Sequence, residues 1–258
     1  MNVSALNGVQ PALTSKWDGL NAHLLARFFA VKRQDSEDKQ SSTWVRDPDS
    51  PVVVAPISEA HAEIVANWQS AFENIGPDQK FSTLSAMLQT GALTSVLQAI
   101  QKQFPTIESL DQVNGRVASL AGRSNLTKLN SMQVFNGMPP MKITLTAHFR
   151  AYDNANEEVE RPIDQLIRWA VPQEIAPDGI LASSARGEPS LFASKTPQII
   201  GMSYANRLLM PLVIESIPYP LSGPRGSDGS LVQAQMQMQI ATLTAIDAND
   251  WNATRVQR

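Results

Sequence analysis

The chain has no cysteine among its 258 residues. Disulfides, thiolate metal sites and a thiol nucleophile are excluded together. The absence fits a reducing cytoplasm. Charge is also scarce, at 17% of residues, against roughly a quarter in an average globular domain. A surface short of charge suits a protein that buries its outside against neighbours. An ordinary soluble protein rich in Gln, Ser and Thr reads the same way on composition alone. The net charge is −3, so no global basic field attracts nucleic acid. No apolar run approaches the ~20 residues that span a bilayer. No basic segment leads into an apolar core near Met1, so no signal peptide is expected.

What is present divides into three stretches. Residues 1–56 read as an arm with short strands. His23–Lys32 is apolar and fits a strand or a short helix, and Thr43–Arg46 and Pro51–Ala55 fit strands around a turn at Asp47–Ser50. Residues 57–130 read as a helical insertion. Ser58 is a good N-cap, and Ile64, Trp68, Phe72 and Ile75 recur at helical spacing. Trp68 and Phe72 are the candidate packing anchors of this insertion. Ser82–Gln103 and Ile107–Leu120 are its further helix candidates.

Residues 131–258 carry strand signals. Met141–Tyr152 alternates strictly, with Met141, Ile143, Leu145, Ala147 and Phe149 on one side. A short helix is expected over Arg161–Val171. Strands are expected over Ile199–Tyr204 and Leu208–Ile217, where Pro211 suggests an edge or a strand start. Leu231–Asp247 reads as a long last strand. Met236 and Met238 share its apolar side, and Gln233, Gln235, Gln237 and Gln239 share the other. Beyond Ile240 both sides turn semi-apolar, which suggests a bulge or two-sided burial.

Candidate chemistry is thin. His23, His61 and His148 lie in separate segments without metal-ligand spacing, so each is expected to be structural or solvated. No G-x-S-x-G, Walker A or G-x-G-x-x-G pattern occurs. Glu157, Glu158 and Glu160 cluster with Asp153 in a polar turn, which is expected to be a solvated loop. No catalytic, cofactor or metal residue is assigned, and no enzyme is expected. The glutamine row admits two explanations. It is a plain solvent face, or a neutral surface that lines a pore or meets another subunit. A plain solvent face usually carries Lys and Glu as guards against aggregation, which favours the second.

The order of elements in the C-terminal half resembles small tail-end and baseplate proteins of contractile-tailed phages. The matching stretches are Lys142–Tyr152, Pro162–Ala170, Pro211–Ile217, the turn Asp228-Gly229 and Val232–Ile246. The residues read as an α+β fold, a β-domain built mainly after Ser131 and completed by strands before Ala55, with a helical insertion between them. The insertion is not part of the family's minimal pattern. The resemblance implies that the antiparallel β-domain is tube-like. It implies a homo-oligomer, a hexameric ring, at the baseplate end of the tail tube. Partners would be the tail tube protein, the baseplate hub and neighbouring baseplate proteins, with no specific nucleic acid and no membrane. The location would be the virion tail, assembled in host cytoplasm. The alternatives are a soluble protein-binding adaptor module and a hydrolase with a dispersed site.

Overall fold

The computed structural model describes residues 12–35, 42–70, 133–175 and 194–256. The chain forms two compact units, Met1–Val65 with Met138–Arg258, and Ala66–Gly137. The class is mixed α+β with a large antiparallel sheet.

In the first unit the strands are β1 (Ala12–Leu13), β2 (Leu25–Asp35), β3 (Ser42–Arg46), β4 (Val52–Glu63), β7 (Lys142–Arg150), β8 (Ile200–Tyr204), β9 (Arg207–Ser216) and β10 (Gln233–Thr242). The second unit contributes β5 (Asn67–Ser70) and β6 (Gln133–Gly137), which pair as a ribbon. Helices α1 (Arg161–Ala170) and α2 (Ala248–Ala253) belong to the first unit. The sheet runs β1-β4-β7-β10-β9-β8-β2-β3, and β4 also pairs with β2. That extra pairing closes six strands into a barrel.

Period-2 alternation produces the interior. Met141, Ile143, Leu145, Ala147 and Phe149 of the β7 segment are buried, as are Ala234, Met236, Met238 and Ile240 of β10. Each fully buried Met or Leu contributes about 1.5–3 kcal/mol. Helix α1 adds Ile163, Leu166 and Trp169 to the same cluster. Pro162 sits in its first turn, where the missing N–H costs nothing.

Strand β2 is buried on both faces. Phe28 joins the interior, while Phe29 and Val31 form a second cluster with Val52 and Val54. Two-sided burial removes alternation, which is why His23–Lys32 reads equally as strand or helix. Phe29 faces Gly201 across the β2–β8 ladder. A Cβ placed on Gly201 would lie 2.5 Å from the Phe29 ring. Gly201→Ala is therefore expected to lose about 1–3 kcal/mol, the usual range for overpacking. Chemical denaturation checks this, and Phe29→Leu in the same chain should restore part of the loss.

Three sequence expectations are corrected. The helix expected from Ser58 is instead the second half of β4, held by Ile57 and Ser58 opposite Ala147 and Thr146, and by His61–Glu63 opposite Thr144–Lys142. The second compact unit begins at Ala66, beyond that strand. The N-terminal strands are longer than the short strands expected, while their joining to β7 to β10 in one sheet is as expected. Pro211 lies in an interior strand, between β8 and β10. It fits there because the β8–β9 register shifts beside it, at a bulge that needs no N–H from that residue. The helix candidates Ser82–Gln103 and Ile107–Leu120, and also Phe72 and Ile75, lie outside the described residues.

Candidate interface

The outer face of β4, β7 and β10 is one polar surface. Ladder register sets its rows. Gln233 lies opposite Arg150, Gln235 opposite His148, Gln237 opposite Thr146 and Gln239 opposite Thr144. Across β7, Ser58 lies opposite Thr146 and His61 opposite Thr144. Directly opposite residues share a face, so the four glutamines meet Arg150, His148, Thr146 and Thr144, with Ser58 and His61 beyond the two threonines. Gln233, Gln235 and Gln237 are exposed, and Gln239 is half-buried.

Charges lie at both ends of this face and beside Thr146 within it. Lys142 pairs with Glu215 at 3.1 Å at one end, and Arg150 lies over the Tyr152 ring at the other. Glu59 occupies the β4 bulge with φ of 52°, and its carboxylate accepts from Thr146 Oγ1 at 3.3 Å. A left-handed non-glycine residue costs of order 1–3 kcal/mol. The bulge is what carries β4 past Ser58 without shifting the sides of the strand.

Ser58 Oγ and His148 Nε2 are 2.7 Å apart, a nucleophile–base distance. Among the described residues no carboxylate is hydrogen-bonded to His148, and the pair lies on an open strand face. No group of three metal-ligating side chains occurs among the described residues. The pair reads as a satisfied surface contact. His61 contacts the Glu59 carbonyl two residues away, and His23 contacts the Ala205 carbonyl, distant in sequence.

Two strand edges flank the polar surface. Strand β2 pairs with β4 only as far as Pro56, so Ile57–Glu63 has β7 as its one strand neighbour among the described residues. Strand β9 pairs with β10 only from Gln239 onward. The Val232 carbonyl accepts from Ala151 N–H, and Thr242 N–H donates to the Met141 carbonyl. Even-numbered residues of β10 therefore turn their backbone groups toward β7. Gln235 and Gln237 turn theirs to the opposite edge, where no ladder continues among the described residues.

Trp68 is placed differently from the sequence expectation. It lies on β5, 54% exposed, edge-on to Phe135 of β6 at 5.4 Å. It packs on its cross-strand neighbour and not in a helical stripe. Met236 and Met238 are fully buried among β7 residues.

The acidic turn is also corrected. Glu158 is buried, and it collects four hydrogen bonds. Its oxygens accept from the backbone N–H groups of Tyr152, Asp153 and Asn154 and from the Ser15 hydroxyl. Burial pushes the carboxyl up, but the Asn154, Ser15 and Tyr152 hydrogen bonds and the Lys16 charge outweigh it and hold it below its ordinary value. Glu160 is also mostly buried, and accepts from Leu231 N–H, Arg225 and the Tyr219 hydroxyl. Sequence offered one weak signal for these roles: two carboxylates immediately ahead of an apolar helix.

Comparison with known protein families finds no match, and comparison with characterised proteins finds no significantly similar relative.

Proposed function

We propose that the chain is a structural subunit of a contractile phage tail, forming a ring at the baseplate end of the tail tube and nucleating or capping the tube. The carrying observation is the polar, mostly uncharged face of β4, β7 and β10, bounded on both sides by strand edges. In a ring, β10 of one copy would lie beside β4 of the next. Both are antiparallel to β7, so the new pair would be parallel. The glutamine and threonine rows would then face a common lumen that is mostly neutral, with fixed charge from Arg150 at one end and from Glu59 beside Thr146. A head-to-tail contact of this kind closes only if its rotation divides a full turn. No chemistry is assigned to the subunit.

The test is the mass and shape of the purified chain. Sedimentation and electron microscopy are expected to give closed rings, six-fold in the proposed arrangement. A chain that stays monomeric at every concentration, alone and with tail tube and hub proteins, would sink the reading.

A protein-binding adaptor is the second reading. The exposed Trp68–Phe135 pair of the second unit favours it, because aromatic pairs of this size are common anchors of protein contacts.

A further inference from the structure

The edge of β10 is not bare. Strand β9 leaves it at Ser216, opposite Gln239, and the chain returns at Pro224, whose carbonyl accepts from Val232 N–H at 2.9 Å. Residues Ile217–Gly223 must therefore span nearly the same length as Gln233–Met238. A built Cβ on Gly223 would lie 3.8 Å from the Gln233 carbonyl, so the two segments meet at that end. Yet no backbone hydrogen bond joins them among the described residues. Pro218 and Pro220 have no N–H to give, which removes half the means of continuing the ladder.

The segment is fastened from outside the sheet. Tyr219 donates its hydroxyl to Glu160 Oε2 at 3.3 Å. Arg225 reaches Glu160 Oε1 at 3.4 Å, the Gly229 carbonyl at 2.6 Å and the Leu221 carbonyl at 3.4 Å. Glu160 Oε1 also accepts from Leu231 N–H at 2.8 Å, which fixes it at the start of β10. A proline-rich cover over a sheet edge is a known means of preventing strand addition.

We propose that Ile217–Pro224 is a strap guarding the β10 edge, that Glu160 is its clasp, and that releasing the strap admits a strand from a second copy of this chain. The inference rests on the ring reading only in naming the incoming strand. That strand is Ile57–Glu63 of β4, which among the described residues has no strand neighbour on one side and is comparable in length. The clasp bonds to Tyr219 and Arg225 are long, so the middle of the strap is held by weak, separable contacts, while its Pro224 end keeps the 2.9 Å bond from Val232 N–H and Leu231 stays fixed.

The test compares the full chain with the double variant Tyr219→Phe, Arg225→Gln, which leaves the Glu160–Leu231 bond in place. Folding is checked by thermal melting, strap release by thermolysin cleavage within 217–224, and association by sedimentation velocity. The variant is expected to be cut faster and to associate at about tenfold lower concentration than the parent, a difference of about 1.4 kcal/mol. Adding Gln235→Lys and Gln237→Lys should reverse the gain. Tyr219→Phe alone serves the same comparison if the double variant does not fold. Faster cleavage without a change in association would overturn the proposal, as would association that ignores the two lysines. Lysine-sensitive growth into open fibres would uphold the strap and reject the closed ring.

Discussion

Met236→Asp is expected to unfold the protomer, while Gln237→Glu, one residue on, leaves its melting unchanged. Met236 is fully buried, opposite Ala147 in the barrel interior. A carboxylate there would have no cation and no donor among its apolar neighbours. The effective penalty for an unpaired buried ion is several kcal/mol. Whole-domain stabilities are about 5–15 kcal/mol, so one such change takes much of the total. Gln237 points outward, opposite Thr146, where a carboxylate stays hydrated. Its effect belongs to the assembled state. A ring would repeat one new charge per copy around the lumen, weakening ring formation and altering passage of charged cargo more than protomer stability. Circular dichroism melting of both variants, followed by sedimentation, separates the two effects. Similar melting of the two variants would mean that the inward and outward sides of β10 do not differ as described.

Legibility in the sequence followed the surroundings of each strand. Strands β7 and β10 have one face in the interior and one outside, so alternation marks both, and the bulge falls between Gln239 and Ile240 where alternation ends. Strand β4 shows the opposite case. Its Val52–Ala55 half is buried on both faces and its Ser58–Glu63 half is exposed on both. Neither half alternates, and the composition SEAHAE is that of a good helix former. Pairing with β7 overrides that local preference. Barrel closure through β2 and β4 joins segments whose partners lie far apart in sequence, such as Arg27 with Ser203, and no local pattern encodes it. At the candidate interface the glutamine row was visible in the sequence, but its threonine and serine partners depend on register. The roles of Glu158 and Glu160 depend on donors brought by Ser15, Arg225 and Tyr219, which are distant in sequence.

Glu158 gives the second large effect, and its sign with pH is fixed. The carboxylate joins three parts of the first unit: Ser15 after β1, the Tyr152–Asn154 turn after β7, and the lead-in to α1. Oε1 takes the Asp153 and Asn154 N–H groups, and Oε2 takes Tyr152 N–H and the Ser15 hydroxyl. Glu158→Gln keeps the shape but turns one oxygen into an amide, which faces donors with donors. The loss is expected to be about 1–3 kcal/mol, the cost of leaving such groups unsatisfied. The folded carboxyl is held below its ordinary value. Its stabilisation is therefore complete above the unfolded Glu pKa and is lost as pH falls through the folded one. Urea unfolding of the parent and of Glu158→Gln should differ most near neutrality and converge in acid. A gap that stays constant from neutral to acid pH would show that the ionised carboxylate is not what holds Ser15 and the turn together.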